Sequence, residues 1–272
     1  MHSDDQPSGR VLSRRQALAA LGVAGVGLTV VGTGAASAGT DAAPLDGAVA
    51  GSVPRGVDCV AKPEMTVGPY FVEEGLNRSD IRSDPSDDSV VEGTALILNL
   101  GIAQVRSGGC LPLPGATVDI WQCDAFGTYS DVAYEGTVGR KFLRGHQVTD
   151  SAGRVTFVTI LPGWYAGRAV HLHVKVRTTG TDGNSYEFTS QLYFDDAFSA
   201  AYLATEPYAP NGTPDTTNET DVWYGDVGDQ MHLKPRKRGK GYQADFTIGL
   251  DLSDTAVGAP DVFTIPTAPP SA

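Results

Sequence analysis

Val170-His171-Leu172-His173-Val174-Lys175-Val176 alternates strictly between aliphatic and polar side chains. A period of two is that of an extended strand, whose successive side chains point to opposite faces. Val170, Leu172, Val174 and Val176 then face a core. His171 and His173 share the other face with Cα atoms about 6.6 Å apart, close enough for both imidazoles to reach one metal ion. An isolated H-x-H is as often a pair of surface histidines as a metal site, so its surroundings decide.

The chain from about Cys59 onward supports the strand reading. Residues 94–105 (TALILNLGIAQV), 117–122 (TVDIWQ), 154–160 (RVTFVTI), 187–194 (EFTSQLYF) and 244–250 (ADFTIGL) alternate in polarity or are rich in Val, Ile, Thr and aromatics. Turn-forming stretches separate them, among them Pro114-Gly115 and residues 150–153 and 179–184. Helix is sparse; residues 196–204 suit a short one, with Asp195 and Asp196 at its start. The expected fold is all-β, an antiparallel β-sandwich with few short helices. It occupies residues 59–252, followed by a Pro- and Ala-rich, loosely held tail at 253–272.

The first 38 residues differ in kind. Ser13-Arg14-Arg15-Gln16-Ala17-Leu18 opens a charge-free stretch that ends in Ala36-Ser37-Ala38. A cationic start, an apolar centre and an A-x-A site make a secretory signal, and the paired arginines resemble the twin-arginine type. The expected product is extracellular or in the cell envelope and leaves the membrane once the signal is removed. Residues 39–58 read as a linker. The net charge of −12 argues against nucleic acid or an anionic membrane as partner. The basic run Lys234-Pro235-Arg236-Lys237-Arg238, with Lys240, is read as a solvated loop facing acidic neighbours. Of three cysteines, Cys110 and Cys123 flank a short turn and strand and are the expected disulfide; Cys59 is left over.

Two further segments bear on the histidine pair. Residues 161–168 (LPGWYAGR) precede it directly, and residues 119–130 (DIWQCDAFGTYS) stand upstream. Each puts a tyrosine, Tyr165 or Tyr129, in a glycine-containing loop at a strand end. Phenolate is a hard anionic donor, which favours a hard, highly charged ion such as Fe(III). A free tyrosine titrates near pH 10, so a strong Lewis acid is needed to keep it ionised at neutral pH. Zinc more commonly takes Cys, His or carboxylate. His146 and His232 have no second histidine nearby and read as structural or surface residues, Trp121 as core, and Tyr70 as pocket lining or packing.

These segments together resemble the intradiol ring-cleavage dioxygenases, the family of catechol 1,2-dioxygenase and protocatechuate 3,4-dioxygenase. The resemblance runs from about Glu64 to Phe194. It takes in Thr66-Val67-Gly68-Pro69-Tyr70, Arg78-Ser79-Asp80-Ile81-Arg82, Leu113-Pro114-Gly115-Ala116 and D-I-W-x-x-x-A-x-G-x-Y. It continues through Pro162-Gly163-x-Tyr165, Arg168-x-x-His171-x-His173 and Gln191-Leu192-Tyr193-Phe194. The likeness is greatest to exported single-domain members, since no long helical N-terminal segment is present.

The resemblance implies Fe(III) held by Tyr129, Tyr165, His171 and His173. Tyr129 would be the tyrosinate that stays on the metal, and Tyr165 the one that leaves when substrate binds. Arg168 would stabilise charge on the bound catecholate, and Gln191 would lie near the substrate. The implied partners are a catechol-type molecule and O2, with products of the cis,cis-muconate type; assembly as a homodimer is compatible with this. Catechol, protocatechuate, hydroxyquinol and larger lignin-derived catechols all fit the sequence. Tyr165 and His171 are only six positions apart, fewer than in the cytoplasmic enzymes, which implies a reduced cover over the site. Cys123, two residues after Trp121, would let a disulfide brace the loop of Tyr129. The rival readings are copper or zinc on the same sandwich, and a transthyretin-like binding module without catalysis.

Overall fold

The alternation at 170–176 becomes a strand at the centre of a sheet. The computed structural model describes residues 60–255, and among them nine strands and one longer helix occur. They are β1 (Ala95–Arg106), β2 (Gly109–Pro112), β3 (Thr117–Trp121), β4 (Arg144–Val148), β5 (Arg154–Ile160), β6 (His171–Thr179), β7 (Ser185–Tyr193), α1 (Asp196–Leu203), β8 (Arg236–Arg238) and β9 (Gly241–Leu250). All six expected strands, β6 among them, lie within a few residues of their predicted bounds. Asp195 caps α1, its side chain accepting from the Phe198 amide at 3.0 Å.

One sheet runs β4-β3-β6-β7, all antiparallel. The other is built on β1, with β5 and β2 sharing one edge and β9 and then β8 on the other. The two layers give the all-β sandwich that the pattern implies. One pairing departs from the antiparallel expectation: β1 and β9 are parallel. They are far apart in the chain, and parallel neighbours need such a long connection.

The core lies between the sheets. Leu96, Leu98, Leu100 and Ile102 of β1 meet Leu172, Val174 and Val176 of β6, with Phe157 and Phe188 among them. All are essentially inaccessible to solvent. The other face of β6 is buried too, since His171, His173 and Lys175 are covered by loops. A central strand buried on both sides is thus apolar on one face and chemically functional on the other.

Three strands escaped the sequence pattern. β2 and β4 carry little β-branched or aromatic character. In β4, Gly145 is where a Cβ would lie 2.8 Å from the Ile81 side chain, so the small residue serves close packing. β8 corrects the solvated-loop reading of the basic run. Its Arg236-Lys237-Arg238 forms a short exposed edge paired with β9, closed by Gly239 at φ +58°. Arg236 pairs with Asp245, and the Lys237 ammonium lies 4.5 Å from the Tyr242 ring. A charged edge strand resists pairing with other chains.

The expected Cys110–Cys123 disulfide is also corrected. Cys123 is free and buried just after β3, while Cys110 on β2 is disulfide-bonded to a partner outside the described residues. Cys110 lies in the sheet built on β1 and Cys123 in the loop that leaves β3 of the other sheet, where it packs among Tyr70, Trp121 and Tyr129. The loop of Tyr129 is therefore braced by other means. The predicted signal (1–38) and linker (39–58) lie outside the described residues, as does the tail beyond 255. No helix among the described residues is long and apolar enough to cross a membrane.

Leu172→Ala is expected to cost about 2–5 kcal/mol in urea unfolding, because the cavity opens between the sheets. Val148→Ala, at an exposed position of β4, is expected to stay within about 0.5 kcal/mol. Equal effects at both positions would contradict this placement of the core.

Candidate metal centre

The centre begins at the first residue of β6. The His171 Nδ1–H donates to the Ala169 carbonyl at 2.7 Å, which leaves Nε2 with a free lone pair. That Nε2 lies 3.2 Å from Nε2 of His173, and the two rings are nearly perpendicular. His173 is held flat against the Trp121 indole, 4.7 Å between centroids and 8° between planes. Trp121 sits opposite it in the β3–β6 ladder. The Tyr165 hydroxyl donates to His171 Nε2 at 3.2 Å. The Tyr129 ring contacts both Tyr165 and His173 edge-on, at 5.7 and 6.1 Å. The Tyr129 hydroxyl is buried with no hydrogen-bond partner among the described residues.

The two tyrosine loops lock against each other. Asp124 accepts from the amides of Phe126 and Thr128, folding the turn that presents Tyr129. Gly127 in that turn has φ +85°, and a Cβ there would fall 2.2 Å from the Trp164 carbonyl oxygen beside Tyr165. Gly163 approaches the other way: its amide donates to the Asp124 carbonyl at 3.0 Å, and a Cβ would fall 2.3 Å from that oxygen. Both glycines are needed for main chain to touch main chain. Glu135 accepts from the Tyr129 amide, and the Thr137 hydroxyl donates to its carbonyl at 2.7 Å. The Tyr70 ring stacks on Tyr129 at 4.0 Å and 6°.

Arg168 and Gln191 adjoin the four. The Arg168 guanidinium donates to Gln191 Oε1 at 2.5 Å and to the Tyr193 hydroxyl at 3.1 Å. Its Nε meets Asp221 at 2.9 Å, and the same carboxylate oxygen accepts from the Ala169 amide at 2.8 Å. Gln191 pairs with His173 across β6–β7, and Tyr193 with His171. All six residues singled out in the sequence thus come together. His146 stands on β4 opposite Asp119, and His232 bonds Tyr224 and Asn218; neither joins the cluster.

Asp221, Glu135 and Arg144 are parts of this arrangement that the sequence did not mark. Asp221 stands in a polar loop without a motif, and Glu135 ends a one-turn 3-10 helix, Ala133–Glu135. Arg144 is 2% exposed and donates to main-chain carbonyls far away in the chain. Nothing local distinguishes them; each is recruited by the fold.

Burial sets the electrostatics. It pushes the phenols of Tyr129 and Tyr165 above their ordinary range. It pushes both imidazoles down, His171 to about 3 with help from the Arg168 charge. Asp221 is held below the usual carboxylate range: burial would raise it, but Arg168 and the hydrogen bonds it accepts prevail. Burial lowers Arg144 to about 10, which leaves it a cation at neutral pH.

This donor set can hold a metal ion. Both imidazoles are neutral, as a metal ligand must be. Two nitrogens each ~2.0–2.1 Å from one ion and at right angles about it lie roughly 3 Å apart, close to the observed spacing. The unpartnered Tyr129 hydroxyl is a buried polar atom awaiting a partner. Among the described residues no group of three or more His, Cys, Asp and Glu is placed to hold a metal; the polar groups beside the two imidazoles are the Tyr165 hydroxyl and the Tyr129 ring.

Known proteins share both sequence and fold with this chain. A family model described as Dioxygenase matches residues 66–209. The intradiol ring-cleavage dioxygenase of Tetranychus urticae superposes with a TM-score of 0.61 at 29% identity, covering 71% of this chain and 96% of that one. The dioxygenase domain of a carbohydrate-binding fusion protein from Streptomyces sp. SirexAA-E gives 0.52 at 29% identity, over 71% and 99%. A chlorocatechol 1,2-dioxygenase of Pseudomonas putida is 28% identical over 151 residues, 47% of this chain and 52% of that protein. The chain spans about half the length of the curated relatives it matches.

Gly136→Ala adds only the left-handed strain of φ +71° in open space, about 1–2 kcal/mol. Gly127→Ala adds the clash with Trp164 as well and is expected to destabilise the protein further in urea unfolding. If the two variants are equally stable, the loops are not interlocked as described.

Proposed function

The chain belongs to the intradiol ring-cleavage dioxygenase family, and from that premise we propose that it is an exported Fe(III)-dependent enzyme. Its substrates would be catechol-type aromatics, cleaved with O2 between the hydroxyl-bearing carbons to cis,cis-muconate-type products. The observation that carries the reading is the convergence of Tyr129, Tyr165, His171 and His173 beside Arg168 and Gln191. Export rests on the signal-like residues 1–38.

Bound ferric iron would supply Lewis acidity and a template for catechol and O2. The chain's own residues then divide the work. His171 and His173 are held in one orientation, by the Ala169 carbonyl and by Trp121 respectively. Tyr129 is enclosed and fixed by its main-chain bonds to Glu135 and Thr137. Tyr165 is only half-buried, and its hydroxyl already exchanges a hydrogen bond with His171. Its oxygen is the group placed to take one catechol proton. The Arg168 cation would steady negative charge on the catecholate as it reacts. The Gln191 amide nitrogen is buried without a partner among the described residues, a donor available to the substrate.

The visible spectrum tests this directly. Iron-loaded protein is expected to be reddish, with a broad tyrosinate charge-transfer band that shifts to longer wavelength when catechol is added without O2. Protein that stays colourless after iron is supplied would sink the ligand assignment. His171→Ala and His173→Ala are expected to lose iron, whereas Tyr165→Phe keeps it. Recovery of the protein from the cytoplasm of its producing cells would remove the export part alone.

A further inference from the structure

Asp221 is a buried carboxylate that reaches the centre from 53 residues away in the chain. Its Oδ2 accepts from Arg168 Nε at 2.9 Å and from the Ala169 amide at 2.8 Å. Its Oδ1 accepts from the amides of Trp223 at 2.8 Å and Tyr224 at 3.3 Å. One oxygen thus closes the turn that carries the carboxylate, and the other is given wholly to the segment before β6.

These bonds leave Arg168 a single orientation. Its Nε is taken by Asp221, and its Nη2 donates to Gln191 Oε1 at 2.5 Å and to the Tyr193 hydroxyl at 3.1 Å. The Tyr193 hydroxyl donates in turn to Gln191 Oε1 at 3.0 Å. Gln191 Oε1 therefore receives two donors, which decides which end of that amide is the oxygen and which the nitrogen. Two donor groups remain without a partner among the described residues, Arg168 Nη1 and Gln191 Nε2. They belong beside the histidines, since Gln191 stands opposite His173 in the β6–β7 ladder and Tyr193 opposite His171. A guanidinium is planar and rigid, so fixing its Nε edge and one terminal nitrogen also fixes the other terminal nitrogen.

We propose that Asp221 is a positioning residue for the reaction: by holding the Nε edge of Arg168 it keeps Arg168 Nη1 and Gln191 Nε2 available as donors to the oxygens of a bound catechol. This rests on the dioxygenase reading above. Asp221 contacts none of the four expected metal ligands, and its effect on substrate passes through Arg168. The same Oδ2 also steadies Ala169, whose carbonyl accepts from His171 Nδ1. Iron content therefore has to be followed beside substrate binding.

The test uses the full chain loaded with iron, with folding followed by circular dichroism and iron by metal analysis. Catechol affinity without O2 is read from the shift of the visible band. In Asp221→Asn one of the two oxygens becomes a nitrogen that cannot accept, so either the turn or the Arg168–Ala169 pair loses its acceptor. The dissociation constant of catechol from the iron-replete variant is expected to rise about tenfold or more. Arg168→Met is expected to weaken binding at least as much, and adding Asp221→Asn to it to cause no further loss, because the two residues act as one unit. A carboxylate that merely braced the fold would weaken binding equally in both backgrounds. Asp221→Glu keeps the charge and is expected to recover part of the affinity; if Asp221→Asn does not fold, Asp221→Glu takes its place in the same cycle. Unchanged affinity in the Asp221 variants, or losses that add to that of Arg168→Met, overturns the proposal and leaves the iron reading standing. An absent band in the unaltered protein overturns the iron reading, and this proposal with it.

Discussion

Burial of both faces of β6 is the constraint on which the rest depends. Leu172, Val174 and Val176 must meet the other sheet, and the period of two then sends His171 and His173 to the opposite side. A slip of one residue would exchange the faces and put imidazoles into the aliphatic core. Pairing with β3 on one side and β7 on the other excludes that slip over most of the strand's length. The same ladders bring Trp121 beside His173 and Gln191 across from it. Two histidines can be buried here because they stay uncharged and because one is anchored to a carbonyl. Several buried polar atoms without a partner lie in different parts of the described residues, and three of them, the Tyr129 hydroxyl, His173 Nδ1 and Gln191 Nε2, meet at this centre. Buried polar atoms without partners are uncommon in a folded chain, and a cluster of them marks where an additional group belongs.

The tyrosines, unlike the histidines, come from loops, and loops are ordinarily poor places for fixed geometry. Here contact between the loops replaces secondary structure. Gly127 lets one loop rest on the Trp164 carbonyl, and Gly163 lets the other rest on Asp124. Neither contact survives the addition of a methyl group without movement. The arrangement makes Tyr129 and Tyr165 mutually dependent, so displacement of one loop displaces the donor on the other. A disulfide at Cys123 would have been a simpler brace, but that thiol is buried and free.

Much of this was legible in the sequence, for identifiable reasons. Strands whose cores are Leu, Val, Ile and Phe follow from periodicity, and the bounds of α1 follow from the Asp195 cap. The four donors with Arg168 and Gln191 lie in segments whose residue order is distinctive. The failures share a cause. β4 reads R-G-H-Q-V because its stability comes from a ladder with β3 and from Gly145 packed on Ile81. β8 is held by β9 and by Asp245, not by its own propensity. The disulfide expectation rests on nearness in sequence, although Cys110 lies on β2 and Cys123 in the loop after β3 of the other sheet. Arg144, Glu135 and Asp221 act on groups distant in the chain, where local pattern carries no signal.

Net charge illustrates the same limit at a finer scale. A chain with a formal charge of −12 nonetheless buries two guanidinium groups at its centre. The global excess of carboxylates governs what approaches from afar, within a screening length of about 8–10 Å at ordinary salt. Inside, the field is local, and the two arginines are not equivalent. Asp221 cancels Arg168 while also fixing the Ala169 amide, whose carbonyl in turn orients His171. Arg144 donates to the carbonyls of Tyr70 and Ser130 and to the Ser130 hydroxyl. Two tyrosines that are chemically identical in the sequence therefore differ in the fold: Tyr165 is partly accessible and lies in the field of Arg168, whereas Tyr129 is fully enclosed and its neighbour Ser130 is held by Arg144.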